Sequence, residues 1–252
     1  MPKRIRPIGF EDRLSLVDHL DELRSRIIVA LSAFGVALAL CFWQNRRILE
    51  IVNAPLGGRR PATFGVAEPF TATLTVAAYA ALALSLPVLL YQVYAYVLPA
   101  FSPSERHVAF PLFALAPLLF VAGASFAYLV VLPAALRFLL HFNQQQFDVQ
   151  IRARDWYGFF GLTVLTTGVA FQVPVGILVA TQLGLTTPAQ LRRRRRHAIV
   201  ICACVAAVLP GVDAITMLLE LIPLVALYEL GIVLSALFAR SAQPAAEGNL
   251  GA

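Results

Sequence analysis

The sequence predicts an all-α polytopic membrane protein with six transmembrane helices. Of its 252 residues, 59% are hydrophobic and only 13% are charged, whereas soluble domains carry about 25% charged residues. The mean hydropathy is +0.76. Uncharged stretches recur along the chain, and most are long enough for a helix to cross a hydrocarbon core about 30 Å thick.

The predicted spans follow these stretches in order. They cover residues 27–43, 70–98, 108–132, 158–182, 198–212 and 214–236, within a membrane domain of residues 27–239. The fifth stretch reaches only about 22 Å at 1.5 Å per residue. We therefore expect helices five and six to be short and to form a hairpin that thins the bilayer locally.

Prolines inside or at the ends of the spans predict kinked helices. They are Pro87, Pro99, Pro111, Pro117, Pro133, Pro174, Pro210 and Pro223. Membrane helices tolerate proline where neighbouring groups satisfy the freed backbone. Because kinked helices do not pack as a straight bundle, we expect a cupped shape.

The segments outside the spans are predicted as follows. Residues 1–26 form a cytoplasmic N-terminal amphipathic helix, with Leu16, Leu20 and Leu23 at helical spacing. Residues 48–52, in the first outside loop, form a short interfacial helix. Residues 240–252 are rich in Ala, Pro and Gly, and we expect a disordered cytoplasmic tail.

The distribution of Lys and Arg predicts the orientation. With the N-terminus inside, cytoplasmic segments hold 13 of these residues and outside loops hold seven. This bias favours both termini in the cytoplasm. Residues 192–196 are five consecutive arginines, which we interpret as an anchor on anionic lipid.

Catalytic patterns do not appear in the sequence. It contains no Gly-x-Ser-x-Gly motif, no phosphate-binding Gly-rich loop and no His/Asp metal cluster. Its three cysteines lie in or beside predicted spans, with spacing unsuited to common zinc or redox motifs. We expect no enzyme activity, no cofactor, no metal and no nucleic-acid partner.

Two carboxylates are predicted on the cytoplasmic face. Glu22 lies one turn before Arg26, so an ion pair within the helix is one interpretation. Glu105 lies in the turn between spans two and three, where it would also favour the start of the next helix. Alternatively, a ligand with two guanidinium groups would bridge both carboxylates through charge-assisted hydrogen bonds.

Polar residues at membrane depth form a second group of candidates. They are Gln172, Asp213, Glu220 and Glu229. Asp213 and Glu220 fall on one stripe of helix six, whereas Glu229 approaches its cytoplasmic end. A secondary transporter of a small solute, with a site formed by Gln172, Glu220 and Glu229, is the alternative function. An intramembrane hydrolase is disfavoured because a nucleophile–base pair is missing.

The motifs resemble the TatC family, the receptor subunit of the twin-arginine protein translocase. The resemblance runs in family order through His19-Leu20-Asp21-Glu22-Leu23-Arg24-Ser25-Arg26, Ala54-Pro55-Leu56, Pro69-Phe70, Leu86-Pro87-Val88-Leu89-Leu90-Tyr91-Gln92-Val93-Tyr94-Ala95-Tyr96, Glu105-Arg106, Phe171-Gln172-Val173-Pro174 and Tyr228-Glu229-Leu230-Gly231.

The resemblance implies three groups of functional residues. Glu22, Arg24, Glu105 and Tyr96 would bind twin-arginine signal peptides. The polar residues Gln172, Asp213, Thr216 and Glu220 would bind partners within the membrane. Pro55, Phe70 and Pro87 would support the structure and its periplasmic cap.

The resemblance also implies the setting. The expected partners are single-span proteins of the TatA and TatB type, signal peptides of folded cargo, other copies of the chain and membrane lipid. Export would use the protonmotive force across the bacterial cytoplasmic (inner) membrane.

The sequence departs from the family pattern in its membrane-embedded polar residues. Gln172 stands where the family often has a glutamate, Gly211-Val212-Asp213 replaces Pro-Pro-Asp, and Met217 replaces a polar residue. Our hypothesis is that Glu220 supplies the carboxylate that Gln172 lacks, from a second helix lining the same concavity.

Overall fold

The computed structural model describes residues 16–97, 106–143, 145–146, 149–210 and 214–241, with the backbone alone at 16–19, 97, 106–114 and 238–241. Within these ranges the chain is helical apart from turns and one isolated bridge between two loops. The all-α prediction is confirmed for this part of the molecule. The predicted tail lies outside it beyond Ser241.

Ten α-helices follow one another along the described chain. They are α1 Leu16–Trp43, α2 Asn45–Asn53, α3 Glu68–Val97, α4 Arg106–Phe126, α5 Leu132–His141, α6 Ala153–Ala170, α7 Val173–Gln182, α8 Pro188–Arg193, α9 Arg195–Val208 and α10 Ala214–Ser241. Helix α2 lies where the interfacial helix was expected. The N-terminal amphipathic helix is not separate, because α1 runs without a break from Leu16 into the first span.

Five stretches of the described chain are long and apolar enough to cross a membrane. They are Leu20–Trp43, Glu68–Tyr96, Leu115–His141, Ala153–Gln182 and Ala214–Leu237. The predicted fifth span is the helix α9, which has 14 residues and is about 21 Å long at 1.5 Å per residue. A count of six spans therefore stays a prediction. The expectation of a short helix six was wrong, because α10 has 28 residues and includes the candidate span Ala214–Leu237.

The helices extend beyond two predicted span ends. The third was expected to stop at residue 132, but a π-helical segment, Ala127–Val131, joins α4 to α5 and helix continues to His141. Pro133 lies two residues after this segment, and local π geometry accommodates a residue that cannot donate a backbone hydrogen bond. The fourth span begins at Ala153 rather than 158 and is interrupted at residues 171–172, just before Pro174.

The outer surface of the helices is apolar. Leu31 and Val36 on α1 are each 63% exposed, and Ile222 on α10 is 70% exposed. Exposed apolar surface of this extent is unfavourable in water, whereas the interior of a bilayer solvates it. The described helices thus form a multi-pass membrane protein.

Packing places α1 against α3, α3 against α6, α6 against α4, and α10 against both α7 and α9. Glycines allow aromatic rings into two of these contacts. The Tyr79 ring of α3 lies over Gly161 of α6, and the Phe120 ring of α4 lies over Gly168 of α6. Small residues at such contacts let helices approach closely in a membrane.

Candidate functional site

The Glu22 carboxylate holds a guanidinium. Its Oε1 atom accepts hydrogen bonds from Nε and Nη2 of Arg26, at 3.0 and 2.5 Å. The Glu22 side chain is 28% exposed and that of Arg26 is 21% exposed. The ion pair within the helix expected from their spacing is therefore present, and it is partly shielded from water.

Arg26 also joins α1 to the last turns of α3. Its Nη1 donates to Gln92 Oε1 at 3.3 Å, and its Nη2 donates to the Ala95 carbonyl oxygen at 3.1 Å. The last carbonyls of a helix have no partner within the helix, so a guanidinium that spans the two helices satisfies one of them. The antiparallel packing of α1 on α3 creates this site.

The other residues predicted for peptide binding are only partly described. Arg24 is exposed on α1. Of its two neighbours in the chain, Leu23 is half-buried and Ser25 is exposed. Tyr96 is half-buried near the end of α3, the end that Arg26 contacts. Glu105 lies outside the described residues, as does Asp213 of the second predicted group.

The remaining intramembrane polar residues contact different helices. Glu220 of α10 is 1% exposed, and its Oε1 accepts a hydrogen bond from Thr167 of α6 at 3.4 Å. Thr216, one turn earlier on α10, is fully buried. Gln172 donates through Nε2 to the Ala116 carbonyl oxygen of α4 at 3.0 Å.

This arrangement bears on the hypothesis that Glu220 replaces a glutamate at position 172. Gln172 contacts α4, whereas Glu220 is enclosed between α10 and α6. The hypothesis that Glu220 supplies the carboxylate that Gln172 lacks stays a prediction.

The three residues predicted to support the structure lie before α3 or within it. Pro55 lies in the 3-10 turn Ala54–Leu56, where its fixed φ suits the tight geometry. Phe70 is 62% exposed and packs edge-on against Phe42 at 6.3 Å between ring centroids. Pro87 is exposed within α3.

An ion pair that the sequence pattern did not predict joins the loop before α3 to the loop before α6. Glu68 is 8% exposed, and its Oε1 accepts a hydrogen bond from Arg152 Nε at 2.8 Å. Its Oε2 accepts from the backbone N–H groups of Phe64 and Gly65, at 2.7 and 3.2 Å. The hydrogen bond to this carboxylate raises the pKa of Arg152 above its ordinary value.

Backbone hydrogen bonds join the same loops. Ala62 N donates to the Ile151 carbonyl oxygen, and Ala153 N donates to the Ala62 carbonyl oxygen, each at 2.8 Å. One indication of this contact between the loops lies in the sequence, a single carboxylate, Glu68, beside Pro69 at the edge of an apolar run. Its partner lies 84 positions away, and no local pattern connects them.

The arginine run forms one specific contact at the opposite end. Arg195 Nη2 donates to Glu229 Oε2 at 2.6 Å, with both side chains at least 40% exposed. Tyr228 donates to the Leu191 carbonyl oxygen at 3.0 Å. Glu229 is therefore part of an ion pair between α9 and α10. Across the described residues, no three His, Cys, Asp or Glu side chains are placed to hold a metal ion.

Together these features define a multi-pass, all-helical membrane protein whose polar contacts lie mainly at the helix ends. A sequence model described as "Sec-independent protein translocase protein (TatC)" matches residues 18–223. The chain belongs to the TatC family and is a component of a protein translocase. The resemblance seen in the sequence is thereby confirmed.

Individual relatives and solved structures agree. The Escherichia coli (strain K12) Sec-independent protein translocase protein TatC is 33% identical over 234 residues, 90% of each chain. The protein of the same name from Azotobacter chroococcum mcd 1 is 34% identical over 246 residues, 96% of each chain. The chloroplastic TATC of Arabidopsis thaliana is 34% identical over 221 residues, and the chain spans 65% of that protein.

A crystal structure titled "Twin Arginine Translocase Receptor- TatC" superposes with a TM-score of 0.75 at 33% identity. The match covers 88% of this chain and 100% of that chain.

Proposed function

We propose that this chain is the receptor subunit of a twin-arginine translocation complex and binds signal peptides that carry two adjacent arginines. The observation that supports this most directly is the Glu22 carboxylate, which holds a guanidinium where α1 meets α3. An arginine of a signal peptide would present the same group. Charge-assisted hydrogen bonds of this kind contribute about 1.5–3 kcal/mol each.

Glu105 receives the second arginine in this proposal. Position 105 lies between α3 and α4 in the chain. It follows the end of α3 that carries Tyr96, and it directly precedes Arg106, where α4 begins. Arg24 and Tyr96 border the peptide. Both termini and this end of the helices face the cytoplasm of a bacterium, and the protein resides in its inner membrane.

Single-span proteins of the TatA and TatB type are the proposed partners, together with further copies of the chain. Helix α9 supports this, because its apolar side chains Val200 and Ile201 are each 62% exposed. Thr216, Glu220, Gln172 and Asp213 are proposed to take part once a partner helix packs against α10. The assembled complex exports folded proteins with the protonmotive force.

Photocrosslinking tests the binding site directly. A photoreactive amino acid at position 22 or 105 of the full-length protein, in membrane vesicles, is expected to label a twin-arginine signal peptide. Labelling only at distant positions would contradict the proposed site.

Charge reversal tests the same site in cells. We expect Glu22→Lys or Glu105→Lys to weaken peptide binding roughly 10- to 100-fold and to block export of a folded reporter. Glu50→Lys is the matched control, because Glu50 is an exposed carboxylate on α2, at the other end of α1. If neutralising both Glu22 and Glu105 left binding unchanged, the proposal would fail.

A further inference from the structure

We propose that the protein binds one phospholipid at a defined site, with the lipid phosphate beside Arg154 and an acyl chain in a groove between α1 and α3. The site begins at the opposite end of α3 from the Glu22–Arg26 pair. It goes beyond the proposed function and does not rest on it.

The polar end of the site is an open cavity of about 730 Å³ between the first two turns of α3 and those of α6. Both helices begin candidate membrane spans there, Glu68–Tyr96 and Ala153–Gln182. The polar headgroups of a bilayer lie at the ends of membrane spans. Arg152, Arg154 and Glu68 line the cavity, so charged groups meet a lipid at the depth of its phosphate.

The charges around the cavity favour an anion. Glu68 is already neutralised, because one of its oxygens accepts from Arg152 and the other accepts from two backbone N–H groups of the preceding loop. Arg154 is exposed, and it takes part in none of the ion pairs that the described residues form. Asp155 is exposed too but does not line the cavity. The guanidinium of Arg154 presents several N–H donors in a fixed fork, a geometry that suits a phosphate.

An apolar groove adjoins this cavity along α3. Thr75 lines both the cavity and the groove, which has a volume of about 520 Å³ and lies between α1 and α3. The wall on α1 is formed by Ile27, Ala30, Leu31 and Phe34. The wall on α3 continues the lining of the cavity in one stripe at helical spacing, Thr71, Thr75, Ala78 and Leu82. A path therefore leads from the basic group into apolar surroundings.

The length of this path matches one leaflet of a bilayer. From Thr71 to Leu82 the helix rises about 17 Å at 1.5 Å per residue. Half of a hydrocarbon core about 30 Å thick is about 15 Å. A phospholipid carries its phosphate and its acyl chain in the same order as the cavity and the groove. A membrane-spanning segment of a protein would bring apolar side chains to the groove but no phosphate to Arg154, so the charge favours a lipid.

Native mass spectrometry tests the headgroup contact. The full-length protein in detergent is titrated with phosphatidylglycerol, and the dissociation constant of the first bound lipid is measured. We expect Arg154→Gln to weaken this binding about tenfold, because a charge-assisted hydrogen bond is lost. Arg137→Gln is the matched control, since Arg137 is exposed on α5, the helix before the loop to α6, and does not line the cavity. No weakening by Arg154→Gln, or equal weakening by both variants, would overturn the inference.

A second pair of variants tests the groove. Ala78 lines it, so Ala78→Phe should fill the space of the acyl chain and weaken lipid binding. Leu84→Phe enlarges a side chain that is 59% exposed on another face of α3, and it should leave the dissociation constant unchanged. If Ala78→Phe binds phosphatidylglycerol as tightly as the wild type does, the acyl chain does not lie in the groove and the inference is wrong.

Photocrosslinking identifies the occupant. A photoreactive amino acid at position 78, in vesicles of phosphatidylglycerol and phosphatidylcholine, should label a phospholipid, and Arg154→Gln should lower the yield. The same amino acid at position 84 reports bulk lipid, and its yield should not change. Labelling of a signal peptide or a single-span protein in place of lipid at position 78 would overturn the inference. Displacement of the lipid by inorganic phosphate would also overturn it, because the site would then bind a free anion only.

Discussion

The contact between α3 and α6 depends on the absence of a side chain at Gly161. A Cβ atom added there would lie 2.2, 2.3 and 2.8 Å from Cδ2, Cγ and Cε2 of Tyr79. Carbon atoms in contact are about 3.5–4.0 Å apart, so the ring would have to move by about 1 Å or more. The ring is attached at Cγ, and no rotation about its own axis removes that clash. We therefore expect Gly161→Ala to destabilise the protein.

Gly158→Ala is the matched control, and it isolates the cost of the clash with Tyr79. Gly158 lies one turn earlier on α6, and a Cβ atom there would meet nothing within 4 Å. Both substitutions gain the helix preference of Ala over Gly, about 0.5–1 kcal/mol. Their difference in stability is then the overpacking cost alone, which is typically about 1–3 kcal/mol.

Thermal unfolding in detergent at a fixed scan rate measures this difference. For chains of this size, about 1 kcal/mol corresponds to about 2–4 °C in Tm. We expect Gly161→Ala to melt several degrees below Gly158→Ala, and Tyr79→Ala in the Gly161→Ala background to restore part of the loss. Equal Tm values for the two alanine variants would refute the reasoning.

Three further predictions concern other contacts. Arg152→Leu removes the ion pair between the loops before α3 and α6, and we expect faster hydrogen exchange, measured by mass spectrometry, at the backbone bridge between these loops; unchanged exchange would show that the bridge holds without the ion pair. Glu220→Ala should lower the stability by about 2 kcal/mol or more while Glu220→Gln, of similar size, melts near wild type; equal Tm values would contradict this. In oxidising conditions, a single-span partner carrying one cysteine should cross-link to the exposed Cys204 rather than to the buried Cys202, and adducts at Cys202 alone would exclude packing on this face of α9.

The apolar pattern of the sequence predicted most of the helices. A run without charge indicates a span, because an unpaired charge is costly inside a bilayer. The short helix α2 lies where Ile48 and Val52 mark one apolar face. Helix ends were harder to predict. The third span was expected to end at residue 132, but the π segment Ala127–Val131 joins α4 to α5 and helix continues to His141.

The site was only partly predictable, because its contacts depend on how helices pair. The spacing of Glu22 and Arg26 predicted their ion pair, since both lie on one helix. The reach of Arg26 to Gln92 and Ala95 requires the register of α1 on α3, which no local pattern encodes. The same reason explains the burial of Glu220, whose position along α10 was foreseen but not its neighbour on α6.

The contact between the loops before α3 and α6 has a mechanical consequence. Two backbone hydrogen bonds and the Glu68–Arg152 pair tie the start of α3 to the start of α6. At the far end of α3, the Arg26 side chain of α1 donates hydrogen bonds to α3. We expect any separation of α3 from α6 to proceed by rotation about the tied end, so that a gap opens as a wedge whose wide side faces the end where Glu22 lies.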